Sequence, residues 1–213
     1  MKVITANLLV DFEGERTAAF LNTDTLLCLS PDIIMLQELH YKLKKKIDNH
    51  LVDYIPQFPL LEGMGCMIYV KKNHKVDDIF YKRFKKTFMD RSIYAVKVLD
   101  VWYITSHLES MDKPQFEKNR QAQLLEIWDF SKDKKNVVIG MDSNLKGNIV
   151  IPEMFIDVWE KEPISTWFSN RFFNYTSECR FDRFFVKNVY IIEKDKITNR
   201  FSDHDILYVD VIC

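Results

Sequence analysis

The chain has 213 residues, of which 47% are hydrophobic and 29% charged, proportions typical of one soluble globular domain with a substantial core. The formal net charge of −1 excludes a protein that coats nucleic acid through bulk positive charge, so any such contact must come from local patches. No apolar run approaches the roughly 18 residues of a membrane span, and the opening MKVITANLLV turns polar too soon for a signal peptide.

The four cysteines are widely spaced and form no CxxC pair (Cys28, Cys66, Cys179 and Cys213). This spacing indicates free thiols, with no disulfide partner and no zinc site, in a reducing compartment. We therefore expect an intracellular protein, nuclear or cytoplasmic, that forms a single domain over residues 1–213 and does not bind membranes.

Short runs rich in β-branched and aromatic residues predict strands at 3–10, 32–38, 66–72, 92–99, 101–108, 136–142, 180–186, 189–193 and 205–212. Two helices are predicted between strands, at 15–29 and at 114–130, where Pro114 suits the first turn. Strands outnumber helices and several connections are short, which predicts two sheets packed face to face with helices outside. The densest basic runs, 42–46 and 82–86, are interpreted as solvated faces.

Polar residues recur at the ends of these apolar strands. They are Asn7, Glu38, His107, Asp142 with Asn144, Asp182, and the Ser202-Asp203-His204 run. Each one has an ordinary structural explanation, such as an Asx turn for Asp142 and Asn144 at the end of VVIGMDSN. Taken together, they are the side chains that bind Mg²⁺, position water and stabilise developing negative charge in phosphoryl chemistry.

The ordered motifs TANLL, LQE, TSHLES, MDSN, RFDRFF and SDH resemble the endonuclease/exonuclease/phosphatase superfamily over residues 3 to 212. Finer features resemble the 5′-tyrosyl-DNA phosphodiesterases: Thr87-x-Met-x-Arg91, the TSHLES block, Arg120-x-x-Gln123-Leu124, IDVWE with Thr166-Trp167, and CRFDRFF. The resemblance implies an α/β (α+β) fold, the DNase I-like four-layer sandwich, in which helices flank two mainly antiparallel sheets.

The resemblance also implies roles for individual residues. Glu38 would ligate a catalytic Mg²⁺, for which Mn²⁺ could substitute, with Asn7 and Asp203 near the metal. Asp142 would activate the attacking water with help from Asn144, while His204, positioned by Asp182, and His107 would contact the phosphate. The residues expected to bind substrate are Arg91, Lys146, Trp167 and Phe201, although Trp167 also suits the core.

The implied function is Mg²⁺-dependent hydrolysis of 5′-phosphotyrosyl bonds between DNA ends and protein, leaving a 5′-phosphate, during DNA repair by a monomer. RNA ends are a further candidate substrate. Two alternatives stay open: another member of the superfamily, such as an abasic-site endonuclease, another nuclease or a phosphatase, and an inactive nucleic-acid-binding relative. The presence of Glu38, Asp142 and His204 disfavours the inactive relative.

The chain departs from the family pattern at four positions. Met141 precedes Asp142 where glycine is usual, Ala6 precedes Asn7 where an aromatic residue is common, and Asp205 follows His204 in place of an aromatic residue. Lys146 replaces arginine, so a bidentate phosphate contact becomes a point charge. None of these changes removes a group that the implied chemistry needs.

Overall fold

The structure is a computed structural model that describes residues 1–9, 29–60, 62–147, 149–169, 177–199 and 202–213. In chain order, the elements of this described part are β1 (Lys2–Asn7), β2 (Ile33–His40), α1 (Tyr41–His50), β3 (Tyr54–Pro56), β4 (Met64–Lys71), β5 (Val76–Arg83), β6 (Ser92–Val98), β7 (Val101–Thr105), α2 (Pro114–Ser131), β8 (Asn136–Asp142), β9 (Ile156–Asp157), β10 (Trp167–Phe168), β11 (Glu178–Cys179), β12 (Asp182–Lys187), β13 (Tyr190–Ile197) and β14 (Ile206–Ile212). None of the described helices is long and apolar enough to cross a membrane.

Two six-stranded sheets dominate the architecture. One has the strand order β13-β14-β1-β2-β4-β3 and the other has the order β5-β6-β7-β8-β12-β9. Each sheet contains a single parallel pair, β1 with β2 and β7 with β8, and its other neighbouring strands are antiparallel. The predicted pair of mainly antiparallel sheets is therefore confirmed.

Strand β8 shows why the apolar run before Asp142 is continuous. Alternate side chains of a strand point to opposite faces, so Val138 enters the core between the sheets while Val137 and Ile139 pack under α2. At Gly140 a Cβ atom would lie 2.8 Å from the Phe184 ring and 2.9 Å from Met35 Sδ, so only glycine fits this close approach. Both faces of β8 are buried, and its carboxyl end is held rigidly.

The predicted strand 136–142 and helix 114–130 are confirmed as β8 and α2, and the predicted apolar residues of α2 are buried (Phe116, Leu124, Ile127 and Trp128). Helix α1 and strand β5 were not predicted. Helix α1 carries the 42–46 basic run and buries only Leu43 and Ile47, while β5 is a largely exposed edge strand. The predicted helix 15–29 falls almost wholly outside the described residues.

Candidate active site

The predicted polar residues converge at one end of the two sheets. Asn7 ends β1, and Glu38 lies near the end of the parallel neighbour β2. In the facing sheet, Asp142 ends β8 and pairs across the ladder with Asp182, the first residue of β12. His107 forms an isolated bridge with Asp142. Strand ends from both sheets therefore bring together residues that are more than 100 positions apart in the sequence.

The Asp142 carboxylate is the centre of this cluster and is 1% exposed. Its Oδ2 atom accepts a hydrogen bond from Asn7 Nδ2 at 2.8 Å and lies 3.3 Å from His107 Nε2 and 3.8 Å from His204 Nε2. Burial raises the pKa of Asp142 to about 6; the neighbouring Asp182 adds to the rise, and His204 opposes it. A carboxylate with such a pKa is a stronger base than an exposed one.

Asp142 and Asn144 also form the Asx turn that the sequence suggests. The backbone N–H of Asn144 donates to Asp142 Oδ1 at 3.0 Å, and Asn144 adopts a left-handed φ of 49°. The Asn144 side chain donates to the Leu108 carbonyl at 3.3 Å and lines the cleft described below. The Asx turn therefore fixes the positions of both side chains at the strand end, where both line the cleft.

His204 carries a fixed positive charge. Its Nδ1 atom donates to Asp182 Oδ2 at 2.8 Å. Burial disfavours the charged ring, but the carboxylates of Asp182, Asp142 and Asp203 outweigh burial and raise the pKa of His204 to about 10. Asp182 is itself held by its backbone N–H, which donates to Thr166 Oγ1 at 2.9 Å. His204 Nε2–H is therefore a charged donor in a site sheltered from water.

His107 has the opposite protonation state. Burial, together with the nearby charges of Arg91 and His204, holds the pKa of His107 well below its usual range. Arg91 Nη1 lies 2.9 Å from His107 Nδ1, and because a guanidinium only donates, Nδ1 must accept. The neutral ring therefore keeps its proton on Nε2, which faces Asp142. Arg91 itself is buried against His107 and does not line the cleft.

Glu38 enters the site through an irregularity in β2. The register with β4 shifts between Leu36 and Leu39, and Glu38 has a φ of 56°, which is uncommon for a residue other than glycine. Its Oε1 atom lies 3.4 Å from Asn7 Nδ2 and 3.9 Å from His107 Nδ1. The bulge therefore turns the Glu38 carboxylate towards the open side of the site.

These residues open onto a cleft of about 570 Å³, which we call the catalytic cleft. Trp167 and Asp203 line it, and Trp167 Nε1 donates to Asp203 Oδ2 at 2.7 Å. Trp167 is therefore a wall of the cleft and not a core tryptophan. Lys146 lies in the same cleft and forms an exposed ion pair with Asp112 at 2.7 Å. Phe201 lies outside the described residues.

The donor set suits a hard divalent cation. Ligand atoms of Asp142, Asp182 and His204 lie within 4.8 Å of one another, and Glu38 adds a further carboxylate to the cleft. The charged His204 ring has no free lone pair, so the donors present are carboxylate oxygens without a thiolate, which fit Mg²⁺ or Mn²⁺. The three clustered residues differ from the predicted metal ligands Glu38, Asn7 and Asp203, and His204 already donates to Asp182.

A buried hydrogen-bond network lies behind His107 and holds Arg91, which contacts the His107 ring. Sequence reasoning assigned no role to this network. The fully buried Glu109 accepts from Thr87 Oγ1 at 2.6 Å, and Thr87 Oγ1 accepts from the Arg91 backbone N–H at 2.8 Å. From α2, Gln123 accepts from the Glu109 backbone N–H at 3.0 Å, and Arg120 donates to the Glu109 carbonyl at 3.0 Å. The sequence feature that could have indicated this network is the presence of Arg120 and Gln123 among the apolar residues on the buried face of α2.

We compared the chain with protein families, curated proteins and solved structures. No family model matches the chain. Tyrosyl-DNA phosphodiesterase 2 of Danio rerio is 27% identical over 179 residues, which cover 75% of this chain and 48% of that protein. The chain thus spans about half the length of this curated relative.

Solved structures match over the whole chain. The structure of D. rerio TDP2 complexed with a single-strand DNA product has a TM-score of 0.88 at 24% identity and covers 100% of this chain and 99% of that one. TDP2 from Caenorhabditis elegans has a TM-score of 0.84 at 20% identity, covering 100% and 75%. The human Nocturnin catalytic domain has a TM-score of 0.76 at 15% identity, covering 100% and 93%.

The two sheets and these neighbours establish the fold class: the chain has a DNase I-like α/β sandwich. The resemblance to tyrosyl-DNA phosphodiesterases is confirmed by the curated relative, and TDP2 structures from two animals share the fold.

Proposed function

We propose that this chain is a metal-dependent phosphodiesterase that hydrolyses the 5′-phosphotyrosyl bond between a DNA end and a protein, leaving a 5′-phosphate, in DNA repair. The observation that carries the proposal is the buried Asp142 carboxylate, held by Asn7 between a neutral and a charged histidine at the floor of an open cleft. A base and two donors of different charge are the groups that hydrolysis of a phosphodiester requires.

Asp142 and Asn144 position the attacking water, and the raised pKa of Asp142 brings this base closer to neutral pH. His204 donates from its charged Nε2–H to a phosphate oxygen, and Asp182 holds the ring in place. His107 offers a neutral Nε2–H from the other side, with its tautomer set by Arg91. Glu38 with Asn7, assisted by Asp203, would hold Mg²⁺, which supplies neutralisation of the phosphate charge when bound.

The leaving group fits this arrangement. A tyrosine phenol has a pKa of about 10 and departs more readily than a sugar alkoxide, so its departure needs no strong general acid. The charged His204 and the neutral His107 are donors that line the cleft next to Asp142. This chemistry favours an aryl ester of a phosphate over internal cleavage of a polynucleotide.

The second group bonded to phosphorus in the proposed substrate is a DNA 5′ end. The D. rerio relative was solved with a single-strand DNA product, and in this chain Trp167 and Lys146 line the catalytic cleft. Trp167 would abut the terminal base, Lys146 would attract a phosphate, and Phe201 is a further proposed contact. We extend the proposal to RNA ends, and we propose that the protein acts as a monomer inside the cell.

A turnover assay tests the function. The substrates are a 5′-phosphotyrosyl oligonucleotide, the matching 3′-phosphotyrosyl oligonucleotide and a duplex with an abasic site, each with Mg²⁺ and then with EDTA. We expect tyrosine release from the 5′ substrate, inhibition by EDTA and recovery with Mg²⁺ or Mn²⁺. Preferential cleavage at the abasic site, or equal rates on 5′ and 3′ ends, would assign the chain elsewhere in the superfamily, and no turnover would favour a binding role.

A further inference from the structure

A second cavity, of about 1030 Å³, lies beside the catalytic cleft. We call it the side groove, and its apolar lining is Phe58, Leu60, Met64, Tyr81, Met89 and Tyr94. Tyr94 packs edge-on against Phe58 at 5.1 Å and against Tyr81 at 5.2 Å between ring centroids. Tyr81 is 56% exposed and Met64 is 39% exposed, so the groove presents large apolar side chains to solvent.

One side-chain contact separates the side groove from the catalytic cleft. Ser110 lines the cleft, Met89 lines the groove, and Ser110 Oγ donates to Met89 Sδ at 3.2 Å. Arg91 Nη2 lies 3.6 Å from the same sulphur, while Arg91 Nη1 contacts His107. The side groove therefore adjoins the catalytic cleft at Ser110 and Met89.

Pairing between β4 and β2 also places the side groove close to Glu38. Met64 of β4 pairs with His40 of β2, two residues beyond Glu38. The backbone N–H of Tyr41 donates to the Gly63 carbonyl at 3.0 Å, which ties the start of β4 to the end of β2. The groove therefore begins where the strand carrying Glu38 ends.

The charges around the groove disfavour a polynucleotide. Its charged lining residues are Glu62, Arg83 and Asp90, and Arg83 is already paired with Asp90. Two carboxylates against one guanidinium offer no attraction to a phosphodiester chain. Aromatic and methionine side chains instead favour the side chains of a peptide.

We propose that the side groove binds the peptide that flanks the tyrosine of the protein adduct, with a preference for apolar or aromatic residues next to that tyrosine. This inference rests on the proposed function. In an in-line displacement the attacking and leaving oxygens lie on opposite sides of phosphorus. The water is assigned to Asp142 and Asn144. The His107 ring faces Asp142 with Nε2 and Arg91 with Nδ1, and Arg91 contacts Met89 of the groove, so the groove adjoins the side of His107 opposite to Asp142.

Three substrates test the side groove. Each carries the same oligonucleotide, joined through its 5′-phosphate to free tyrosine, to tyrosine within a peptide that has Leu and Phe neighbours, or to tyrosine within a Ser and Gly peptide. We expect wild-type kcat/KM to be about tenfold higher for the Leu and Phe peptide than for the Ser and Gly peptide, since one aromatic contact is worth about that factor.

Two variants remove the preference without touching the cluster around Asp142. Tyr81→Ser and Met64→Ser should each bring the ratio of the two peptides towards one, because both side chains are exposed in the groove. The matched control is Tyr190→Ser on β13, an exposed tyrosine that does not line the groove and should keep the tenfold ratio. Thermal melts show whether each variant is folded, and the second variant replaces the first if one is not.

The outcomes separate this inference from the proposed function. Cleavage of the free-tyrosine substrate with equal rates on both peptides would overturn the side groove and leave the function standing. A tenfold ratio that persists in both folded variants would also overturn the groove. No cleavage of any of the three substrates would overturn the function and this inference with it.

Discussion

The two halves of the candidate site differ in how far solvent reaches them. The half made by Asp142, Asp182 and His204 has side chains that are 1%, 0% and 7% exposed. In the other half, the Glu38 side chain is 17% exposed, and Glu38 lies in a β-bulge with a left-handed φ of 56°. The buried half has hydrogen bonds of 2.8 Å, from Asn7 to Asp142 and from His204 to Asp182, whereas the Glu38 carboxylate lies 3.4 Å from Asn7 Nδ2 and 3.9 Å from His107 Nδ1.

This difference separates two kinds of chemistry. In the buried half, burial raises the pKa of Asp142 and the surrounding carboxylates raise the pKa of His204, so a base and a charged donor are in place before substrate binds. A divalent cation such as Mg²⁺ keeps several of its waters, so its ligand is best placed where solvent has access. We therefore propose that the buried half transfers protons and that the half around Glu38 binds the metal.

The largest expected effect comes from the buried half. Asp142→Asn keeps the shape of the side chain but removes the carboxylate that activates water, so kcat should fall by about 10²–10⁴-fold. Turnover of the 5′-phosphotyrosyl oligonucleotide at saturating substrate measures this loss. Asp195→Asn, an exposed carboxylate on β13, is the matched control. A variant within about threefold of wild type would show that Asp142 serves only the Asx turn.

The next effect distinguishes the two halves directly. Glu38→Gln removes a charged ligand from the open half, so the Mg²⁺ concentration at half-maximal rate should rise by at least the ~10-fold typical when a metal-supporting residue is lost. Excess Mg²⁺ should restore much of the rate in Glu38→Gln but not in Asp142→Asn. Equal behaviour of the two variants in a metal titration would remove the distinction between the halves.

A smaller effect concerns the wall of the cleft. Trp167→Ala should weaken binding of a single-strand oligonucleotide by about 1–3 kcal/mol if the ring contacts the terminal base. Trp167→Phe keeps an aromatic face but loses the hydrogen bond to Asp203, so it separates stacking from the support of that carboxylate. Fluorescence anisotropy with the 5′-phosphate product measures both, and unchanged affinity in the alanine variant would contradict the assignment.

The smallest expected effect concerns the contact between Asp32 and His74, which lies outside both halves of the site. Burial disfavours the Asp32 carboxylate, but hydrogen bonds from His74 at 2.7 Å and from the Lys2 backbone N–H at 2.8 Å outweigh it and lower the pKa of Asp32. A lowered folded-state pKa stabilises the fold above pH 3.8, the ordinary value, and this stabilisation is lost as pH falls through the folded-state pKa.

Asp32→Asn should therefore lower the free energy of unfolding by about 0.5–1 kcal/mol at pH 7, with a difference from wild type that shrinks below about pH 4. Denaturant unfolding at several pH values measures this difference. Asp77→Asn, which removes an exposed pair with Lys75, should have a smaller effect at every pH. A difference that grows on acidification would contradict the sign derived from the Asp32 pKa.

Local sequence patterns predicted the elements that are buried strongly. The run 136–142 became β8 with the predicted bounds, because both of its faces need apolar residues. Helix α2 was predicted because its apolar spacing is visible over several turns. Helix α1 and strand β5 were missed because each has few buried residues, so their stability comes from neighbours that a local pattern does not contain.

The site residues were also predicted as a set, and the structure brings Asn7, Glu38, His107, Asp142 and His204 to one end of the two sheets. Their roles in catalysis, and those of Asn144, Asp182 and Asp203, stay predictions. Sequence reasoning proposed that Arg91 binds substrate, and its contact with His107 was beyond the reach of any spacing rule. The supporting carboxylate Glu109 was quoted only within a motif, without a role.

The sequence by itself determined which chemical groups are available and which strands end beside them, because side-chain identity and hydrophobic periodicity are local properties. Only the tertiary structure decided that one histidine is charged and the other neutral. Both are imidazoles with the same intrinsic pKa, and the difference arises from carboxylates around His204 and a guanidinium beside His107. Arg91 is 16 residues from His107 and Asp182 is 22 residues from His204. Electrostatic interactions depend on distance in space and on burial, which only the folded chain defines.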